Sequence, residues 1–522
     1  MVLMTRSIHI LWADDEIDLL RPHIYLLQEK GYTVETATNG EDAIDLVKEK
    51  EFDLIFLDEN MPGLSGLQVL TRIKELRPAI PVVMITKSEE EDIMDEAIGS
   101  KIADYLIKPV NPKQVLLTIK KFTDTKRLVS EKTTSAYQTE FSRIGIQINE
   151  SLSWSDWIAL YRKLVYWEME LTASDDSPMD EVFRMQKSDA NLNFARFIRN
   201  NYAGWLRQPV GERPLMSQDL VRHRLIPLVE KGDPVVVMVI DNLRYDQWKV
   251  MEPALTDYYA IESEEIYFSI LPTATQFARN TMFAGLMPLE ISKMYPDLWT
   301  EELEEGSKNL HEEDLLRNQM SRLGLGIKVI YDKISSNRAG KKWVDNPQML
   351  LDQQLSVLVY NFVDMLSHAR TEMQMMRELA DDEPAYRTLT STWFQHSTLL
   401  DLLRELSAMK VKVVITTDHG TIRVQEAVKV IGDRETTTNL RYKQGRNLSY
   451  NPKEVIEYVR PDEIHLPKPN VSTRYIFATG SDFFAYPNNY NHYVKYYRNT
   501  FQHGGVSLEE MLIPFVVLRP KV

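Results

Sequence analysis

The sequence predicts an α/β protein in three parts: a doubly wound five-stranded domain at residues 1–123, a helical-bundle linker at 124–208, and a larger α/β domain at 209–522. Three observations predict this. Short apolar runs alternate with amphipathic stretches through the first domain. Helical periodicity then takes over without strand-like runs. After a Pro/Gly-punctuated stretch, Pro209 through Pro214, buried-type apolar runs return.

In the first domain the runs are Ile8–Ala13, Tyr32–Glu35, Asp53–Leu57, Pro81–Thr86 and Ile102–Leu106. Helical patterns lie between them at 17–30, 41–50, 66–77, 89–98 and 111–122. Five successive βα units imply a parallel sheet with helices on both faces. In the linker, SWSDWIALYRKLVYWEMEL places Trp154, Trp157, Ile158, Tyr161, Leu164 and Val165 on one helical face. Ser153 and Asp156 have the spacing of a capping pair. The stripe reads as the core of a bundle, with a second helix around 178–206 packed on it; an aromatic ligand cradle would look the same. Beyond residue 232, strands are expected at Val235–Ile240, Val357–Phe362, Val411–Thr416 and Arg474–Ala478.

Composition narrows the function classes. Of 522 residues, 43% are hydrophobic and 26% charged, enough for several buried cores. The net charge of −15 opposes nonspecific binding to long nucleic acid, which needs a basic surface, but allows a small phosphorylated ligand on a local basic patch. With no cysteine, any metal must be held by Asp, Glu, His or hydroxyl oxygens. The N-terminus lacks the apolar run of a signal peptide, and no stretch approaches the ~18 apolar residues of a membrane span. A cytoplasmic protein without membrane insertion is expected.

In a doubly wound sheet, chemistry gathers beyond the carboxyl ends of the strands. Asp14 and Asp15 follow the first strand, Asp58 ends the third, Thr86 the fourth, and Lys108 follows the fifth. Clustered carboxylates repel and are relieved by a hard divalent cation, Mg²⁺ by preference. Asp58 then serves as a nucleophile toward phosphorus, Asp14 and Asp15 hold the cation, and Lys108 pairs with the acyl phosphate. Thr86 donates to the phosphoryl oxygens, and its movement shifts Tyr105. A lone Asp at a strand end is usually a cap; five suitable groups gathered on four strand ends are a site. The segments ADDE, FLDENMPGLSG, VVMITKS and YLIKPVNP resemble the receiver domain of bacterial response regulators over residues 8–122. The resemblance implies a cis Lys108–Pro109 bond and a sensor histidine kinase as partner.

The C-terminal domain carries its own ligands. Asp241 ends VVVMVID, Asp364 and His368 form D-x-x-x-H after SVLVYNFV, Asp418 and His419 follow VVITT, and His503 lies in FQHGG. Three acids and three imidazoles in one pocket are costly without cations, and two Zn²⁺ ions, or metals of similar preference, would offset this. One would take Asp364, His368 and His503; the other Asp241, Asp418, His419 and a hydroxyl from LPTATQFARNTMFAGLMP. Taken singly, Asp241 or Asp364 reads as a helix cap and His503 as a loop residue.

This pattern, D…T…DxxxH…DHG…HGG, is similar to the alkaline phosphatase superfamily in its PglZ branch, over about 232–522. The resemblance implies Thr275 as nucleophile and metal ligand, ten residues before Gly285-Leu286, with Thr273 the alternative. Arg423, Lys429, Arg434, Arg441, Lys443 and Arg446 form a basic stretch, either a solvated face or a flap holding further phosphates of an oligonucleotide-like substrate. Of these, Arg441, Lys443 and Arg446 are carried as substrate-binding candidates, together with Arg279, four residues after Thr275.

Receiver, helical linker and PglZ-type domain in this order resemble the PorX-type response regulators associated with type IX secretion. That implies a role in controlling secretion and zinc-dependent phosphodiesterase activity on small nucleotide-type esters; phosphorylation is expected to favour a homodimer or to release the linker helices and alter access to the zinc site, with a sigma factor or secretion-system component as a further partner. The contrasting expectation is a non-catalytic interaction protein whose metal domain only docks a transcription factor or secretion component. A DNA-binding transcription factor is disfavoured by charge and by the lack of a reader motif.

Overall fold

The structure, a computed structural model, describes residues 8–78, 80–86, 102–174, 177–301, 304, 307–372, 382–433, 435–488 and 490–521. The helix expected at 89–98 and Arg434 lie outside the described residues. Two compact units are present. The first runs to Gln138 and includes Ser174–Asp176; the second comprises Thr139–Ala173 and Ser177–Val522. The helix Pro112–Asn149 carries the chain from one to the other.

In the first unit, β1 (His9–Ala13), β2 (Thr33–Ala37), β3 (Leu54–Asp58), β4 (Val82–Thr86) and β5 (Asp104–Ile107) form a wholly parallel sheet of order β2-β1-β3-β4-β5. Its apolar strands are buried on both faces. Leu11, Ala13, Ile55 and Leu57 pack with Val69 and Ile73 on one side, while Ile10, Trp12, Leu54 and Phe56 pack with Val115 and Ile119 on the other. That is why these strands read as continuous apolar runs and not as alternation.

In the second unit, β6 (Val235–Ile240), β7 (Tyr259–Phe268), β8 (Val329–Ile334), β9 (Leu355–Tyr360) and β10 (Lys412–Thr416) build the central sheet with a late strand. The smaller strands are β11 (Ile422–Arg423), β12 (Glu426–Lys429), β13 (Tyr442–Gly445), β14 (Ile456–Tyr458), β15 (Arg474–Phe477), β16 (Asp482–Ala485) and β17 (Phe501–Gln502). The chain closes with β18 (Leu512–Pro520), which enters the central sheet antiparallel to β10 and β7. The order is β7-β18-β10-β6-β9-β8, and β10, β6, β9 and β8 are mutually parallel. The run expected at Arg474–Ala478 is a strand of a separate sheet, β13-β15-β14, and takes no part in the central one.

The helices Trp154–Ser174 and Ser177–Trp205 belong to this unit. Trp157, Tyr161, Leu164 and Val165 are buried, and the Trp157 ring lies 5.3 Å from Phe194 and 5.9 Å from Phe197. Ser153 N–H donates to Asp156 Oδ2, and Asp156 N–H returns to Ser153 Oγ, closing the helix start. Buried charges tie these helices to the helices Tyr245–Met251, Glu383–Gln395 and Leu508–Met511. Arg387 Nη1 lies 3.1 Å from Glu168 Oε1 and 3.3 Å from Asp246 Oδ2. Lys187 Nζ lies 2.8 Å from Glu168 Oε2 and 2.9 Å from Glu509 Oε1.

Candidate active site

Asp241, Asp364 and Asp418 follow β6, β9 and β10, three adjacent parallel strands, so the sheet delivers all three acids to one edge. The remaining ligands come from connections. His368 is one turn after Asp364 on the helix Phe362–Glu372, His419 follows Asp418, and His503 follows β17, which pairs with β11 just past His419. A Cβ on Gly420 would stand 2.0 Å from Glu509 O, so only glycine lets the Asp418-His419 turn lie against that segment.

The candidate ligands fall into two groups that could each hold a metal ion, Asp364/His368/His503 and Asp241/Asp418/His419, with their nearest N and O atoms within 4.8 Å of one another in each. In the first, His368 Nε2 is 3.6 Å from Asp364 Oδ2 and His503 Nε2 is 3.7 Å from Asp364 Oδ1. In the second, His419 Nε2 is 3.8 Å from Asp241 Oδ1 and 3.7 Å from Asp418 Oδ2. The groups adjoin: the His419 and His503 rings stack at 4.4 Å. Both rings turn Nδ1 to backbone, His419 toward Gly420 O and His503 toward Thr273 O, which leaves Nε2 facing the acids. The mouth opens at His368, whose side chain is 60% exposed, whereas Asp418 and His419 are fully buried.

The electrostatics match a cation pocket. Asp364 is pushed up to about 6 by burial and by Asp241 nearby. Burial and Asp241 likewise raise Asp418, whose Oδ2 is buried and accepts no hydrogen bond. Burial, then His419 and His368, push His503 well down, toward the neutral imidazole that ligates. Asp241 differs: burial would raise it, but Arg279 and His419 outweigh that and lower it. Clustered carboxylates and imidazoles of this kind suit divalent ions bound through nitrogen and oxygen.

The two threonines separate clearly. Thr275 is the first residue of the helix Thr275–Ala284, and its Oγ1 lies 3.0 Å from His419 Nε2 and 3.4 Å from Asp241 Oδ1. Gly285, at φ 61°, ends that helix in the left-handed conformation. Thr273 is fully buried and committed to backbone: Oγ1 donates to Gly505 O at 2.9 Å and accepts from Gly504 N–H at 3.1 Å.

Among the described residues, the basic candidates Arg279, Arg441 and Lys443 are buried and do not line an open flap. Arg441 is fully buried, with Nη2 2.6 Å from Glu510 Oε2 and Nη1 on Asp482 O. Glu510 Oε1 also accepts from Gly505 N–H at 2.9 Å, so this pair braces the His503 loop and is not available to phosphates. Lys443 is buried as well, donating to Thr437 O at 2.8 Å. Arg446 pairs with Glu435, and Lys429 lies over the Tyr490 ring. Arg279 is buried beside the second group and bonded to Asp241 and Glu312.

Three residues escaped the sequence reading. Asn242, at φ 64°, joins the groups: its N–H and Nδ2 lie 3.4 Å from Asp418 Oδ1 and Asp364 Oδ1 respectively. Only its place after the strand-end Asp hinted at this. Glu510 had a faint signal, since Ser507 and Glu510 show capping-box spacing. Glu312 had none within HEED.

In the first unit, Asp14, Asp15 and Asp58 gather beyond β1 and β3. Lys108 Nζ lies 3.0 Å from Asp14 Oδ2 and 2.9 Å from Asp58 Oδ1, and the Lys108–Pro109 bond is cis. Burial raises the Asp58 carboxyl despite Lys108. Thr86 Oγ1 donates to Glu59 Oε2, and Tyr105 is 41% exposed on β5.

Three families match the sequence: the BREX system PglZ alkaline phosphatase-like domain over residues 220–518, the PorX response regulator linker domain over 127–206, and the response regulator receiver domain over 10–120. Among curated proteins, the transcriptional regulatory protein ZraR of Klebsiella oxytoca is 35% identical over 139 residues, 27% of this chain and 31% of that protein. ResD of Bacillus subtilis is 35% identical over 116 residues, 22% of this chain and 48% of ResD. This chain therefore spans from about a third to about half of those relatives. Among solved structures, a CheY-like receiver domain from Methanospirillum hungatei is 27% identical, covers 23% of this chain and 96% of its own, and has a TM-score of 0.23. Among the described residues, no helix is long and apolar enough to cross a membrane. With a receiver domain at its start and a PorX-type linker behind it, the chain belongs to the PglZ alkaline phosphatase-like family in the architecture of the PorX-type response regulators.

Proposed function

We propose that this chain is a cytoplasmic, two-component-controlled phosphoric-ester hydrolase. A sensor histidine kinase phosphorylates Asp58, and the PglZ domain hydrolyses small nucleotide-type phosphate diesters in preference to monoesters. The observation that carries this is Thr275 Oγ1 at 3.0 Å from His419 Nε2, at the edge where three acids and three imidazoles converge.

Asp241, Asp418 and His419 would hold one Zn²⁺ together with Thr275, and Asp364, His368 and His503 the other. Bound there, such ions supply Lewis acidity, making a hydroxyl nucleophilic near neutral pH and neutralising phosphoryl oxygens. The chain's own contribution is placement. Thr275 Oγ1 is fixed between His419 and Asp241, and the free N–H groups of the helix it starts favour a phosphoryl anion. Thr275 Oγ1 forms a bond to phosphorus as the ester P–O bond breaks and the leaving oxygen takes a proton. Water then cleaves the phosphothreonine and regenerates the hydroxyl. The orphan Oδ2 of Asp418 supports the ion assignment. The commitment of Thr273 to Gly504 and Gly505 supports Thr275 over its neighbour.

In the receiver, Asp14, Asp15 and Asp58 would hold one Mg²⁺. On phosphorylation Thr86 exchanges Glu59 for the phosphoryl oxygens and Tyr105 follows, favouring a homodimer. The PorX linker match supports a role in type IX secretion, with a sigma factor or secretion component as a further partner. Chromogenic mono- and diesters assayed with Thr275→Ala and with a phosphate mimic at Asp58 test both halves. Hydrolysis that survives Thr275→Ala would sink the nucleophile. A mimic that alters neither rate nor oligomeric state would sink the coupling.

A further inference from the structure

The Asp241 carboxylate is divided between two environments. Oδ1 faces Thr275 Oγ1 and His419 Nε2, whereas Oδ2 accepts from Arg279 Nη1 at 2.6 Å. Arg279 lies one helical turn after Thr275, on the same face of the helix Thr275–Ala284. It is 2% exposed, and its Nε donates to Glu312 Oε1 at 2.7 Å. Glu312 is fully buried and is held in turn by the Tyr331 hydroxyl and by Lys333 Nζ at 2.9 Å. A continuous arm thus runs from β8, at the edge of the central sheet, to the acid that follows β6.

We infer that Arg279, held by Glu312, is a positioning residue that presents Asp241 to the Asp418/His419 group through Oδ1 alone and so sets that group's affinity for a divalent ion. This rests on the reading that the group holds such an ion. The physical case is orientation. A free aspartate turns about two bonds and can offer either oxygen or both; with Oδ2 held by the guanidinium, Oδ1 is the oxygen left facing the cluster, on the side where His419 and Thr275 also lie. Arg279 is 3.8 Å from Asp418 Oδ2, too long for a hydrogen bond, so it orients one acid of the group and leaves the other's oxygen open.

Removing Arg279 alone has two opposed effects. It frees the carboxylate, which weakens binding, and it deletes a nearby positive charge, which strengthens it. The charge-balanced variant Arg279→Met/Glu312→Gln removes one charge of each sign and leaves mainly the loss of orientation. The test uses full-length protein and Zn²⁺ alone, in competition with a chelator of known affinity, together with the melting temperature of the metal-free protein. The double variant is expected to bind one of its two ions about 10–100-fold more weakly, with the other unchanged. Arg279→Lys, which keeps a cationic donor on Asp241, is expected to fall between. Equal affinity for both ions in the double variant and the parent would overturn the inference. So would a loss at both groups together with a lowered metal-free melting temperature, which would mark a merely structural role. Failure of the underlying reading looks different: the parent protein itself would bind no zinc, or Asp418→Ala would lose none.

Discussion

Lys443 offers a quantitative test of how the C-terminal domain is packed. Its side chain is 1% exposed, its Nζ donates to Thr437 O, and the nearest ring, Tyr486, has its centroid 4.9 Å away. No carboxylate lies within ion-pair distance among the described residues. Burial accordingly lowers it from 10.5 to about 7. Between those values the unfolded chain carries the proton and the folded chain does not, so this group makes stability rise with pH. At ~1.4 kcal/mol per pH unit, the full window from about 7 to 10.5 is worth about 5 kcal/mol. Below pH 7 both states are protonated and the whole penalty remains. Lys443→Met keeps an unbranched chain of similar reach and removes the charge, at the cost of leaving Thr437 O without its donor, roughly 1–3 kcal/mol. The variant should therefore be more stable than the parent by roughly 2–4 kcal/mol near pH 7, and the advantage should disappear and reverse by pH 10. Urea denaturation of both proteins at intervals from pH 6.5 to 10 measures the difference directly. Parallel stability curves, with no convergence as pH rises, would show that Lys443 is not a buried, unpaired amine.

Other outcomes follow from the same geometry. Thr275→Ala should lower diester turnover by about a thousandfold or more, whereas Thr273→Val should chiefly cost stability, about 1–3 kcal/mol, because it strips partners from the buried Gly504 and Gly505 backbone; steady-state rates and denaturation curves separate the two. Arg387→Met removes the cation shared by Glu168 and Asp246, which keep Lys187 and Arg244 respectively, and should destabilise by about 1.5–3 kcal/mol, less when paired with Glu168→Met, as a double-mutant cycle would show. Chelator treatment should lower the melting temperature, since an ion present at 1,000 times its dissociation constant contributes about 4 kcal/mol; readdition of Zn²⁺ should restore it. Asp58→Asn should abolish phosphoryl incorporation from a small phosphodonor, monitored by intact mass.

Much of the candidate site was legible because parallel α/β architecture converts sequence position into spatial position. An acid directly after a buried apolar run stands at a strand's carboxyl end, and adjacent parallel strands bring such ends together. Asp14 and Asp58 meet this way in one sheet, and Asp241, Asp364 and Asp418 in the other. The strand at Arg474 was legible as a strand but not as a member of a separate sheet, because periodicity reports burial and not the pairing partner. The closing strand β18 had no such address, since an antiparallel strand returning over a long connection leaves no local mark.

What the sequence by itself determined is the chemistry available: which acids, imidazoles and hydroxyls sit at strand ends, and that no thiolate competes with them. What only the tertiary structure decided is the use of the long charged side chains. Arg279, Arg441 and Lys443 look alike as basic residues near a phosphate chemistry, yet one orients an acid, one braces a loop against Glu510, and one is buried on a carbonyl. Such side chains reach several ångströms from their backbone, and their partners come from segments remote in the chain. Their roles are therefore fixed by packing and desolvation, which no local pattern encodes.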